Sequence, residues 1–98
     1  MTPLLELRTR AVYDPAYREY FTRGDRLLTE SIAKAVRSVT DGDPECDPDA
    51  VAETIQTAAL GTMLRRSSTN DDTWLAVVRR ELERYTDARM NERADTDD

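Results

Sequence analysis

Five carboxylates alternate along Asp41, Asp43, Glu45, Asp47 and Asp49, with the chain's single cysteine, Cys46, among them. Alternating acids around a glycine such as Gly42 are how a calcium loop collects oxygen ligands. The detail argues against one. Pro44 and Pro48 interrupt the run, and no Glu stands at the twelfth position. A solvated loop ending in a helix cap explains the same residues. Cys46 as a nucleophile needs an activating base, and the chain has no His. That absence also removes the commonest general base and metal ligand. One thiol cannot build a Cys/His zinc site or an intrachain disulfide, and it fits a reducing cytoplasm. Gly24, Gly42 and Gly61 are isolated, so no phosphate-cradling loop is present. Arg65-Arg66 and Arg79-Arg80 are basic spots offset by neighbouring acids. The residues therefore predict a non-enzyme with no catalytic residue, metal or cofactor.

Charge bounds the partners. The formal net charge is -6, which disfavours nucleic-acid phosphates. Residues 1–40 carry seven basic and five acidic side chains, the remainder seven and fifteen. Lys34 is the only lysine. Carboxylates in excess with Arg in place of Lys fit a halophile, whose salt screens self-repulsion; a GC-rich genome behind a solvated surface leaves the same bias. No apolar run approaches the roughly 20 residues needed to span a bilayer, and no signal peptide opens the chain, so no membrane association is expected. At 98 residues, one domain with a limited core is expected, and a partner subunit would help to stabilise it.

Four helices are predicted, over about 3–12, 15–40, 48–66 and 73–90, forming one domain over 1–90 with a polar, frayed tail at 91–98. The first carries Leu4, Leu5, Leu7, Ala11 and Val12 at helical spacing and starts so abruptly that it reads as the end of a helix begun upstream of Met1. A native short N-terminal helix is the alternative. Asp14-Pro15 and Asp47-Pro48 each place a capping carboxylate before a first-turn proline. The second helix has an apolar stripe of Tyr17, Phe21, Leu28, Ile32, Ala35, Val36 and Val39, widened by Tyr20 and Leu27. Gly24 lies on that stripe, either for close packing or as a kink. Asp71 or Asp72 can cap the fourth helix. No strand-like alternation of useful length occurs.

The third and fourth helices differ in kind. The third presents small residues, Ala52, Ala58, Ala59, Gly61 and Thr62, between the larger Val51, Ile55 and Met63. Small residues allow close approach of helix axes. The fourth supplies bulk through Trp74, Leu75, Val78, Leu82 and Tyr85. Two such helices from each of two chains would make a two-fold four-helix interface. The predicted dimer contacts are Val51, Ile55, Ala58, Ala59, Thr62, Met63, Trp74, Val78, Leu82 and Tyr85. An intrachain core built from the same residues is the alternative.

Taken in order, several stretches resemble the C-terminal domain of TetR-family transcriptional regulators, in particular haloarchaeal ones. They are Leu4-Leu5-Glu6-Leu7-Arg8; Asp14-Pro15-Ala16-Tyr17-Arg18 opening a long helix; an acidic turn; and Asp47-Pro48-Asp49-Ala50-Val51-Ala52 opening the next. Ala59-Leu60-Gly61-Thr62-Met63 then leads to Arg65-Arg66, and a last amphipathic helix follows. The resemblance covers nearly the whole chain and lies in order and spacing, since no single piece is diagnostic. It implies an all-α, antiparallel four-helix bundle-like domain that pairs as a homodimer through its last two helices. It also implies a small, often apolar effector, for which Tyr17, Tyr20, Phe21 and Leu28 would line a pocket; they read equally well as core. The family's N-terminal helix-turn-helix has no counterpart here, so DNA would be bound only through a domain missing from this chain. A standalone helical interaction domain without ligand sensing is the competing expectation.

Overall fold

Two local devices set the helix starts. Asp14 has extended backbone and its carboxylate accepts the Ala16 N–H at 3.0 Å, with Pro15 in the first turn behind it. Asp47 repeats the arrangement, accepting the Ala50 N–H at 3.1 Å ahead of Pro48. Each satisfies a helix N–H that has no partner within its own helix. The computed structural model of the chain describes residues 3–41 and 43–96, the last six by backbone alone. Among them the order is α1 (Pro3–Arg10), α2 (Pro15–Thr40), α3 (Pro48–Ser68) and α4 (Trp74–Thr96), with no strand. No helix among the described residues is long and apolar enough to cross a membrane.

The ends differ from expectation more than the starts. α1 stops at Arg10, and Ala11–Tyr13 form a tightened turn in which the Val12 and Tyr13 N–H groups bond Thr9 and Arg10 carbonyls. Arg18 reaches back from α2 to the Ala11 and Val12 carbonyls (3.2 and 2.6 Å), a cation closing a helix C-terminus. α2 ends at Asp41, a non-glycine residue in the left-handed region (φ 54°), whose N–H bonds the Arg37 carbonyl. α3 continues to Ser68, where the Ser68 and Thr69 hydroxyls donate to the Leu64 and Arg65 carbonyls. α4 passes the expected end at Met90 and runs to Thr96, so most of the expected polar tail is helical; residues 97 and 98 lie outside the described residues, as does Gly42. Polar residues do not stop a helix unless something breaks it, and 91–96 contains neither Gly nor Pro.

Among the described residues the core lies in the first half of the sequence. Leu5, Ala11 and Phe21 are buried where α1 crosses α2. Ala33, Val36 and Thr40 of α2 and Val51 and Ala52 of α3 are buried along the most extensive helix contact of the chain. Arg8 bridges α1 to α2 through a two-pronged pair with Asp25 (2.9 and 2.6 Å) and lies 5.2 Å from the centre of the Phe21 ring. The Thr29 hydroxyl, between Glu53 and the Gln56 amide, ties α2 to α3.

The expected all-α class holds, and the four helices are arranged in a flattened form. Helix axes 8–10 Å apart in a two-by-two array would give two similar short dimensions, whereas the extents here are 50 × 33 × 14 Å. The radius of gyration is 16.0 Å, against about 13 Å for a compact chain of this length. The four helices form a flattened slab in which α4 touches both α2 and α3.

Candidate functional site

A broad concavity lies between the second half of α3 and α4. It has a volume of about 810 Å³ and is open along one side. Ile55, Ala59, Thr62 and Met63 form one wall; Leu75, Val78 and Leu82 form the other. Arg79, Glu83, Thr86 and Asp87 make a polar rim on the α4 side. The local reason is helical spacing. On α3 the steps 55, 59, 62, 63 fall on one face, as do 75, 78, 82 on α4. Ala59 and Thr62 are the small side chains of the α3 wall.

The turn between α3 and α4 aims the two walls. The Asp71 carboxylate accepts the Thr73 N–H (3.0 Å) and hydroxyl (3.1 Å), and these bonds, helped by Arg65, hold its carboxyl below the usual aspartate range. Asp71 thus shapes the turn ahead of α4. The Trp74 indole N–H donates to the Asp71 carbonyl (2.8 Å), and the Arg65 guanidinium lies 4.3 Å from the indole centre. Arg65, in the last turn of α3, thus clamps the first residue of α4.

Of the ten predicted dimer contacts, Ile55, Ala59, Thr62, Met63, Val78 and Leu82 line this cleft. Val51 is 2% exposed and belongs to the intrachain core beside α2, so it is withdrawn from the open face. Its position one turn from the α3 N-terminus places it where α2 still runs alongside. Ala58 is half-buried and does not line the cleft; Trp74 is half-buried in the turn clamp. Tyr85, half-buried under Arg89 (5.6 Å), stands beside the cleft on α4. Sequence reasoning missed the rim of Arg79, Glu83 and Asp87. The signal was their spacing of four residues, which puts three charges in one row beside the apolar stripe.

The four residues expected at an effector pocket do not enclose one. Phe21 is buried against α1, meets Tyr20 edge-on (5.3 Å) and borders a shallow depression of about 290 Å³ beside the Arg8–Asp25 pair. Tyr17 is half-buried below Arg10 (5.7 Å), while Tyr20 and Leu28 are 61% and 50% exposed. Leu27 and Val39 continue this open face along α2 at 65% and 66% exposure. Cys46 is a half-buried free thiol. Among the described residues no three His, Cys, Asp or Glu side chains come together as metal ligands.

No protein family, curated protein or solved structure matches this chain.

Proposed function

We propose that this chain is the dimerisation and effector half of a TetR-type transcriptional regulator, and that it pairs with a second copy through the α3–α4 cleft. The carrying observation is that cleft: an apolar trough of about 810 Å³ with one side open. An exposed apolar concavity of this size marks a site for another apolar surface. Surface area supports the reading. The accessible surface is 7509 Å² at 11.2 kDa, roughly 1,800 Å² more than a compact monomer of that mass exposes. A stable interface needs about 800 Å² from each partner. Two-fold pairing would stack α3 and α4 of one copy on those of the other, completing the bundle that one chain leaves open.

The regulator part of the proposal rests on the resemblance set out above. In it, DNA is contacted by a helix-turn-helix outside these 98 residues, and a small apolar effector acts by favouring one spacing of the two DNA-binding heads. The α2 stripe of Tyr17, Tyr20 and Leu28 would line the effector site only once another element covers it.

Light scattering on the chain and on Ala59→Arg tests the pairing. Ala59 lines the cleft, and a guanidinium there would be desolvated on pairing with no counter-charge beside it. The expected result is a dimeric mass for the parent chain and a monomeric mass for the variant, with helicity unchanged. A parent chain that stays monomeric at high concentration sinks the pairing and leaves the cleft for a different partner.

A further inference from the structure

The rim of the cleft carries information that its apolar floor lacks. Arg79, Glu83 and Asp87 follow one another at four-residue steps along one face of α4 and all border the cleft. Arg79 and Glu83 are loosely paired within the helix at 3.7 Å, and their side chains are 80% and 66% exposed. The order of the charges is the wrong one for stabilising α4 itself. An acid preceding a base by four residues supports a helix better than the reverse, and acids favour the N-terminal end. Here the base comes first and two acids follow. The row is therefore basic at one end and acidic at the other.

A two-fold axis perpendicular to α4 runs the partner's α4 in the opposite direction, and each contact then occurs twice. Reversal lays the basic end of one row over the acidic end of the other. Parallel helices would instead set Arg against Arg and acid against acid. We infer that Arg79 of each copy faces the Glu83–Asp87 carboxylates of the other, so that this row fixes the antiparallel sense of pairing at the α3–α4 cleft. The inference rests on the dimer reading above and specifies it. Such rim charges act mainly on orientation and on the choice of partner.

The test uses charge reversal on the whole chain. Arg79→Glu makes the row wholly acidic; the double variant Glu83→Arg/Asp87→Arg makes it wholly basic. Sedimentation velocity should show each variant dimerising at least tenfold more weakly than the parent, and an equimolar mixture restored to parental affinity as a heterodimer. The neutral variants Arg79→Gln and Glu83→Gln/Asp87→Asn should weaken pairing less than the reversals. Circular dichroism on every sample establishes that the helices are kept. Reversal variants that dimerise like the parent overturn the inference while leaving the dimer standing. Helical variants that both fall apart and stay apart when mixed overturn it as well. Failure of the dimer reading itself is seen earlier, as a monomeric parent chain.

Discussion

The two halves of this chain have similar helical content and opposite packing. Every buried residue among those described lies between Leu5 and Ala52, and none of the described side chains beyond Ala52 is buried. The first half buries part of its apolar stripes on its own neighbours, α1 on α2 and α2 on the start of α3, and leaves Tyr20, Leu27, Leu28 and Val39 exposed along α2. The second half holds Ile55, Met63, Leu75, Val78 and Leu82 around a trough with one side open. A helix can thus be fully formed in the backbone and still lack most of the burial that ordinarily stabilises it. The difference places the buried core of the described residues in the first half and leaves the second half with half-buried and exposed side chains.

The sharpest way to break this comparison is to truncate one large side chain in each half. Phe21→Ala should cost about 3 kcal/mol in a urea titration of dilute protein, since a buried ring leaves a cavity. Leu82→Ala, half-buried in the single chain, should cost under about 1 kcal/mol in the same dilute titration. It should weaken self-association by about tenfold, or about 1.4 kcal/mol, on dilution in an analytical ultracentrifuge. Equal losses for the two variants in dilute protein would show that α4 belongs to the intrachain core after all.

Acid should also act unequally. The Arg8 hydrogen bonds, with Coulombic help, hold the Asp25 carboxyl below the usual aspartate range, against the opposing effect of burial. A carboxyl lowered by folding contributes stability in full above its unfolded value, near 3.9. The contribution is lost as pH falls through the lower folded value. Melts recorded from pH 5 to pH 2 should show this loss in the parent chain and a flatter profile in Asp25→Asn, with the difference modest because both side chains are about a third exposed. A parent and variant with parallel profiles would remove the pair from the list of ties between α1 and α2.

The smallest effect concerns Gly24. α2 is unbroken through it, and nothing lies within 4 Å of where a Cβ would stand. The close packing or kink expected there is not seen within one chain. Gly24→Ala should therefore stabilise dilute protein by about 0.5–1 kcal/mol, read as a raised urea midpoint. A loss instead would point to a surface seated on the open face of α2.

The helix starts were legible because their causes are local. Asp14-Pro15 and Asp47-Pro48 need only their own next few residues to cap and begin a helix, and α2 and α3 begin where those pairs stand. Helix ends were less so. Arg18 closing the end of α1 depends on α2 folding back, and the run of α4 through 91–96 reflects the lack of a breaker. The candidate site was half legible. Periodicity placed Ile55, Ala59, Thr62, Met63, Val78 and Leu82 on apolar faces, and those faces do meet at the cleft.

Periodicity could not say which apolar face meets which. Val51 and Ile55 lie on adjoining turns of α3 and look alike in sequence; α2 runs beside the first, which is buried, while the second opens into the cleft. The sequence by itself determined that four helices form, where three of them begin and which residues share a face, because hydrogen bonding and side-chain spacing within a helix act over a few residues. Only the tertiary structure decided that Leu5, Phe21, Val36 and Val51 are buried within the chain while Leu27, Leu28 and Val39 of α2 and the faces of late α3 and α4 stay open. That outcome depends on loop reach and helix direction, which no single segment encodes.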